Sequence, residues 1–489
     1  MGKLFPSRAF QATIPPMKFY ISASIPYVNA KPHLGHAYEF VQGDVIARYH
    51  RILGDETLYL SGADENALKI VQAAEKADTE VQKFCDLNAE YFKKLLSDLD
   101  VQLDIYERSS SKSHHQSSQE LWKLCDAAGD IYKKKYEGLY CVGCETFYPK
   151  DELDENGECF EHPGKKLDSV TEENYFFRLS KYKDKLIKLI ETDTLKIVPD
   201  QRKSEVLGFL HGEVNDISIS RTRERARGWG VEVSNDPSQM IYVWFDALNV
   251  YQSGVGFSFD DATYQKWLPA DVHLIGKGII RFHTVYWIAM LLSAKLQLPK
   301  NVYVHGYITV GGQKMSKTLG NVIDPFEMVK KFGSETLRYY FLREMSTTED
   351  IDFTIDRLKE TYQAHLANEL GNLASRTAKL CEALQIQKVP ISTTFTPAVA
   401  KAIESYNLKD AADAMWLQVT ELNKTLTDKK PWELAEAEKT AVMQSIVEGL
   451  VQLSFDLQPF MPKTAKTLLE YFSCDKIGPI QPLFPKLNV

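Results

Sequence analysis

The sequence predicts an α/β protein in which a parallel sheet is interrupted by an insertion and followed by an α-helical bundle. Three observations predict it. Strand-like and helix-like segments alternate from Lys18 to about Ala77. Composition turns polar and irregular from about 116 to 235, where Cys141, Cys144 and Cys159 cluster. From about Asp356 onward strand signals vanish and apolar residues repeat at three- and four-residue steps. At roughly 150 residues per domain, 489 residues make about three domains. A hydrophobic fraction of 44% and a charged fraction of 25% are ordinary for a soluble globular chain.

The first seventeen residues carry Lys3, Arg8, three prolines and no acid. They read as a loose tail, a short organellar presequence, or sequence upstream of a start at Met17. They lack the long apolar run of a secretory signal. From Lys18 a short strand ends near Ser24, and a loop runs through Pro26 to Pro32. A helix then carries Leu34, Ala37, Phe40, Val41, Val45 and Ile52 and stops at Gly54. Thr57–Leu60 is a second strand, Gly62–Glu65 its exit loop, and about 66–77 a second helix. On such sheets ligands bind at the carboxyl ends of strands, where these loops lie. After the insertion the α/β pattern resumes at Met240–Phe245, with strands at Val272–Ile275 and Val302–His305. The most apolar stretch, Trp287–Leu296, meets Lys295 too soon to span a membrane and reads as a buried helix. Leu358, Tyr362, Leu366, Leu370 and Leu373, and later Val442, Ile446, Leu450 and Leu453, mark the bundle.

Net charge is −8 with a pI near 5.9, so the whole chain does not advertise nucleic acid, though a basic face can sit on an acidic body. Seven scattered or clustered cysteines do not make a disulfide scaffold and suit a reducing compartment. Cys141-x-x-Cys144, then fourteen residues, then Cys159-x-x-His162 places two knuckles of two ligands each. Three thiolates and an imidazole suit tetrahedral Zn²⁺, and a full protein ligand set makes the site structural.

Pro32-His33-Leu34-Gly35-His36 opens a helix at a strand exit. Two imidazoles and the positive end of a helix can hold phosphate, with Gly35 admitting a ligand to the backbone. Histidines at that place also serve simply as caps. Far downstream, Gly311-Gly312-Gln313-Lys314-Met315-Ser316-Lys317-Thr318 is a glycine-led loop with two lysines three apart. Such a loop can close on a triphosphate and set ammonium groups against a departing pyrophosphate.

PHLGH paired with KMSKT is similar to the two signatures of class I aminoacyl-tRNA synthetases, and the surroundings resemble the methionyl enzymes. The likeness runs from about Lys18 to the C-terminus and includes Ser24–Tyr27, Val243–Tyr251 and His273–His283. It implies a Rossmann-type catalytic domain in two halves (18–115 and 236–296) split by a single-knuckle zinc insertion (116–235). A connection bearing the lysine loop (297–355) and a helical anticodon-binding domain (356–489) follow, behind a tail at 1–17. It implies activation of methionine by ATP and transfer to the 3′-terminal adenosine of tRNA(Met), serving translation initiation and elongation.

The same resemblance assigns residues. His33, Gly35, His36, Lys277, Lys314, Met315, Ser316 and Lys317 fall at ATP-binding positions, with His33, His36, Lys314 and Lys317 catalytic. Tyr27, Trp244, Tyr251 and His283 line the methionine pocket, over Ile25, Ala247, Leu248 and Ile279. Aromatic walls suit a polarizable thioether, and Asp64 should receive the α-ammonium group. Asn372 and Arg376, four apart on one helix face, and Trp432, at the start of a helix opened by Pro431, would read unpaired anticodon bases. Without the resemblance, Trp432 reads as a staple at a helix start. Arg221, Arg223, Arg225, Arg227 and Lys133–Lys135 either touch tRNA phosphate or form a solvated face.

Mg²⁺ is expected with ATP, beside structural Zn²⁺. Expected partners are tRNA(Met), methionine and ATP, with no membrane, in a cytoplasmic monomer. Two departures stand out: Gly278 where relatives often carry an acid, and Asn66 where they carry histidine. Gly278 also invites a non-catalytic tRNA-binding relative. A different HxGH nucleotidyltransferase would need neither the zinc insertion nor the helical tail. Isoleucyl, leucyl and cysteinyl enzymes are the nearest rivals within the class, and little room is left for the large editing domain of the first two.

Overall fold

Strand β1 (Lys18–Ala23) is apolar but for Lys18 and Ser22 and buried after Lys18, as a central parallel strand covered on both faces must be. Its alternate residues feed two separate cores. Phe19 and Ile21 join one, and Tyr20 joins the other with Leu58 and Leu60. Helix α1 (Leu34–Ile52), strand β2 (Glu56–Ala63), helices α2 (Leu68–Lys76) and α3 (Val81–Asp98), and strand β3 (Ile105–Arg108) follow. The computed structural model describes residues 17–485 except 142, 144–145, 149–152, 160–163, 316–320 and 347, and only the backbone of Thr146 and Lys314.

Helix α4 (Lys112–Ala127) runs across the expected start of the insertion at 116 without a break. Beyond it, β4 (Ile131–Cys141), β5 (Thr146–Tyr148), β6 (Asp168–Phe177) and, later, β8 (Ile217–Ser218) form an antiparallel sheet ordered β5-β4-β6-β8. Between β6 and β8 lies a departure from the sequence reading. Strand β7 (Lys196–Val198), flanked by α5 (Lys183–Glu191) and α6 (Asp200–His211), pairs parallel to β13 (Asn301–His305) as the sixth strand of the main sheet. Part of the stretch read as insertion thus returns to the body. Three residues are too short for a periodic signal.

A second difference lies at Met240–Phe245. Strands β9 (Ser220–Thr222), β10 (Glu232–Val233) and β11 (Asp236–Ile241) make a small antiparallel sheet. The chain then turns directly into helix at Val243–Ala247. A short apolar run fits buried strand and buried helix equally well, so periodicity could not separate them.

Strands β12 (Val272–Gly276) and β13 (Asn301–His305) complete the main sheet, ordered β3-β2-β1-β12-β13-β7 and parallel throughout. The order reverses between β1 and β12, so the loops leaving those two strands diverge and open a crevice at their carboxyl ends. Beside it, β14 (Ile308–Val310), β15 (Gln313–Lys314) and β16 (Ile351–Asp352) form a three-stranded ribbon.

After Asp352 no strand occurs among the described residues. Helical turns run from Ile355 to Cys381, followed by helices Pro397–Glu404, Leu408–Lys429, Glu436–Asp456 and Pro462–Phe472. Leu366, Leu370, Leu373, Ile446 and Leu450 fall in the same buried cluster as Phe19 and Ile21, so bundle and sheet share a core. Arg338 crosses the junction fully buried. Its guanidinium pairs with Asp44 of α1 at 2.7 Å and donates to the carbonyls of Leu99, Pro459 and Phe460. Among the described residues no helix is long and apolar enough to cross a membrane.

Candidate active site

The histidine pair caps the helix, the second of the two expectations for it. His33 is the N-cap of α1, and its Nδ1 accepts the Gly35 N–H at 3.1 Å. The Nδ1 of His36 accepts the His33 N–H at 3.2 Å, and the rings stack 3.8 Å apart. This is a capping box built from two imidazoles. An Nδ1 that accepts leaves the ring proton on Nε2, so capping sets both rings as Nε2–H donors at a positive helix end. Burial, then the neighbouring His33, holds His36 well below the usual histidine range. A Cβ at Gly35 would stand 2.9 Å from the His33 ring, so the glycine protects the cap itself.

Three residues after His36, Glu39 ties this helix to two strand ends. One carboxylate oxygen accepts from the Ser24 N–H at 2.8 Å and from the Ser24 hydroxyl. The other meets His305 Nε2 at 2.8 Å. From His305 the chain enters β14, turns at Gly311 and Gly312 with φ of 64° and 73°, and returns as β15. Two consecutive positive φ values are the signature of a tight hairpin. The lysine loop therefore springs from a ribbon clamped beside the start of α1. Gly312 N–H and the Thr309 hydroxyl both reach Asp352, at 2.8 and 3.0 Å, which stiffens the turn. Met315 packs partly buried against the core. The side chain of Lys314, and Ser316, Lys317 and Thr318, lie outside the described residues. Lys277 forms an ion pair with Asp350 at 2.6 Å and lies 4.8 Å over the Tyr307 ring.

The crevice between β1 and β12 gathers the expected amino-acid pocket. Ile25 and Tyr27 come from the loop after β1, and Asp64 from the end of β2, where backbone bonds to Pro26 and Val28 zip the two loops together. Trp244 and Ala247 lie on helix Val243–Ala247 and Tyr251 on the next turn, with Leu248 between. Ile279 and His283 follow β12. Ile25 and Trp244 each touch both cores, so the pocket sits on the seam between them.

Hydrogen bonds settle the protonation of the pocket. His283 Nδ1 donates to the Ile279 carbonyl at 2.9 Å, leaving Nε2 to accept from the Tyr251 hydroxyl at 2.8 Å. Burial brings His283 down to about 4 and pushes the Tyr251 phenol well up, so both are neutral near pH 7. Tyr27 meets Trp244 edge-on at 6.3 Å. Asp64, 2% exposed, is the acid among the pocket residues named from sequence.

Sequence reasoning missed the supports. Phe282 stacks on Trp244 at 3.8 Å and 10°. Its place one turn after Ile279 and beside His283 was the available signal. His273, held down to about 3 by burial and then His283, stacks on Tyr251 at 4.4 Å and bonds Ser22. Asn66 is buried and bridges the Ser109 carbonyl and Asp246, whose other oxygen meets His114 at 2.6 Å. It links the β2 loop to the helix carrying Trp244. Gly278 is exposed on its turn.

Elsewhere the outcome is mixed. Cys141 and Cys159 are buried with their sulfurs 3.2 Å apart, while Cys144 and His162 lie outside the described residues. Arg376 lies 5.8 Å over the Trp432 ring, on the helix where Asn372 is exposed. Trp432 is 49% exposed on a 3₁₀ turn, and the helix starts only at Glu436, because Leu434 and Ala435 are extended between the two. The four arginines are no free basic stripe. Arg223, Arg225 and Arg227 pair with Glu232, Glu172 and Glu75, and Arg221 is buried against Tyr242 and Phe147. Lys133 pairs with Asp236 at 2.7 Å.

A parallel sheet whose order reverses between β1 and β12, with a capped helix start and a clamped glycine hairpin at the strand ends, is the architecture of the Rossmann-type class. The chain belongs to the family described as tRNA synthetases class I (M), whose sequence model matches residues 19–378. It is 39% identical over 480 residues to a methionine–tRNA ligase of Thermotoga maritima, covering 94% of this chain and 76% of that one. It is 38% identical to a methionine–tRNA ligase of Brucella suis, covering 93% and 91%. Among solved structures it resembles Mycobacterium tuberculosis methionyl-tRNA synthetase in complex with methionyl-adenylate, with a TM-score of 0.88 and 32% identity over 96% of this chain and 100% of that one. The free form of that enzyme matches with a TM-score of 0.81 and 31% identity, over 96% and 98%.

Proposed function

We infer that this chain is a methionine–tRNA ligase working in two steps at the crevice between β1 and β12. The observation that carries the reading is the clamp at Glu39. It holds the two-imidazole helix start and the root of the glycine hairpin together, next to a neutral aromatic pocket.

In the first step a carboxylate oxygen of methionine attacks the α-phosphorus of ATP and the bond to pyrophosphate breaks. Little covalent work falls to the protein, so positioning and charge stabilisation supply the acceleration. His33 and His36 present Nε2–H donors to phosphate oxygens. Lys314 and Lys317 close on the departing pyrophosphate, with Met315 and Ser316 shaping the loop and Lys277 shifting from Asp350 towards the nucleotide. Mg²⁺ bound with ATP supplies further charge neutralisation. Asp64 receives the ammonium group, and Tyr27, Trp244, Tyr251 and His283 enclose the thioether with Ile25, Ala247, Leu248 and Ile279.

In the second step the 2′-hydroxyl of the terminal adenosine of tRNA(Met) attacks the methionyl carbonyl and AMP leaves. Asn372, Arg376 and Trp432 contact the anticodon, the paired guanidinium and half-exposed indole being suited to unpaired bases. Two buried, touching thiols fit a structural Zn²⁺ held by Cys141 and Cys159 with Cys144 and His162, which would brace the insertion. The enzyme acts as a cytoplasmic monomer. The test is pyrophosphate exchange with each of the twenty amino acids: methionine alone should drive it efficiently, and efficient exchange with isoleucine or cysteine would sink the assignment.

A further inference from the structure

The residues assigned to the two ends of methionine stand on different elements. Asp64, for the ammonium group, follows β2, whereas Trp244 and Tyr251, for the thioether, stand on the short helices Val243–Ala247 and Val250–Ser253. A buried carboxylate that takes no part in the chemistry above joins them. Asp246, two residues after Trp244, is fully buried. Its Oδ2 accepts from the Asn66 side-chain amide at 2.7 Å, and the Asn66 N–H reaches the Asp64 carboxylate at 3.3 Å. A hydrogen-bonded line thus runs from the ammonium end of the site to the helix at the thioether end. Asn66 is itself anchored, because the same amide nitrogen donates to the Ser109 carbonyl at 2.8 Å.

The other oxygen of Asp246 is held from α4. His114 Nε2 meets Oδ1 at 2.6 Å, and the Ser118 hydroxyl donates to it at 3.2 Å. The second ring nitrogen of His114 meets the hydroxyl of Ser253 at 2.8 Å, at the end of the helix that carries Tyr251. Asn249, between the two short helices, donates to the Ser117 hydroxyl at 2.8 Å. All of these side chains are buried.

Taking so many polar groups out of water is costly unless each is matched at close range. A charged acceptor makes the matches short and directional, whereas apolar contact has no preferred direction. The helix pair is therefore registered against α4 through one oxygen of Asp246 and against the β2 loop through the other.

We propose that Asn66 and Asp246 are positioning residues that set the length of the amino-acid pocket, and with it the rejection of amino acids with longer side chains. The inference rests on the assignment of Asp64 to the ammonium group and of Trp244 and Tyr251 to the thioether. With one end of the ligand held by charge and the other by rings, the side-chain length admitted follows the separation of those groups. The Asn66–Asp246 bond is a direct side-chain tie across that separation. One methylene more or less in an apolar pocket changes binding roughly 10- to 200-fold, provided that the walls do not yield. The tie keeps them from yielding.

The test is pyrophosphate exchange by the full chain with methionine, with norleucine, which has the same length, and with ethionine, which is one methylene longer. In Asn66→Ala and, separately, in Asp246→Asn, the ratio of kcat/KM for methionine to that for ethionine should fall about fivefold, within the range a methylene commands. The ratio of methionine to norleucine should stay within about twofold of the parent, because length is the property measured. Asn66→His, whose ring N–H can make the same bond, should return the ethionine ratio to that of the parent. A defect of the fold alone would slow all three amino acids together and leave the ratios level, so an unchanged ethionine ratio in either variant overturns the proposal. So does a norleucine ratio that falls as far as the ethionine ratio, or a histidine variant as permissive as the alanine one. No exchange with methionine in the parent would instead overturn the function on which it rests.

Discussion

The proposed amino-acid pocket and the surface around Arg376 and Trp432 use similar side chains under opposite conditions. In the pocket, Tyr251 and His283 are buried, bonded to each other and tautomerically set before any ligand arrives. On the bundle, an indole left half in solvent lies against one guanidinium. The difference teaches that burial buys selectivity for a small ligand, because every polar atom must be matched in advance. Exposure suits a large partner that brings its own stacking surfaces and phosphates. Damage should therefore spread differently from the two places.

The largest effect is expected where the two regions are joined. Arg338→Ala removes a buried guanidinium from Asp44 and from three carbonyls belonging to both parts of the molecule. Breaking a buried pair typically costs about 3–5 kcal/mol. Asp44 keeps Arg48 at 2.7 Å, so the lower end is expected. Urea unfolding would measure it, and both exchange and charging should suffer. A variant as stable as the parent would show that sheet and bundle stand independently.

Next comes the acid of the pocket. Asp64→Asn keeps the shape but removes the charge proposed to receive the methionine ammonium. A charge-assisted hydrogen bond is worth about 1.5–3 kcal/mol, so kcat/KM for methionine in exchange should fall roughly 10- to 150-fold. Folding should change little. An unaltered kcat/KM would move the ammonium site elsewhere. Trp432→Ala should act in the opposite sense, lowering charging about tenfold through lost stacking while exchange stays level. Equal losses in both assays would mean that the indole serves the fold.

How far the sequence carried these assignments depends on the kind of signal. His33, Gly35 and His36 were readable because a cap at a strand exit is local and leaves a short motif. The bundle was readable because leucines at three- and four-residue steps need no partner to be recognised. Arg338 left no such trace: a charge deep between domains is matched by carbonyls distant in sequence. Strand β7 is three residues long, and only its partner β13 defines it. The arginines at 221–227 looked like a basic face, but their acids lie on other elements. Phe282 needed Trp244 across the crevice before its role was visible. Local patterns were legible, and pairings at long range were not.

The smallest effect concerns acid. Burial depresses His283 to about 4 and His273 to about 3, against an unfolded value near 6.5. Below about pH 6.5 the unfolded chain binds protons that the folded pocket refuses, so stability is full above that pH and falls as pH drops towards 4. Between pH 7 and pH 6 the two groups together should remove about 1 kcal/mol. Urea midpoints at the two pH values would show it. His283→Gln, which cannot titrate, should flatten the dependence by about half even if it lowers stability throughout. A midpoint that rises on acidification would mean that these imidazoles carry charge in the folded pocket, and the neutral box proposed for the thioether would have to be abandoned.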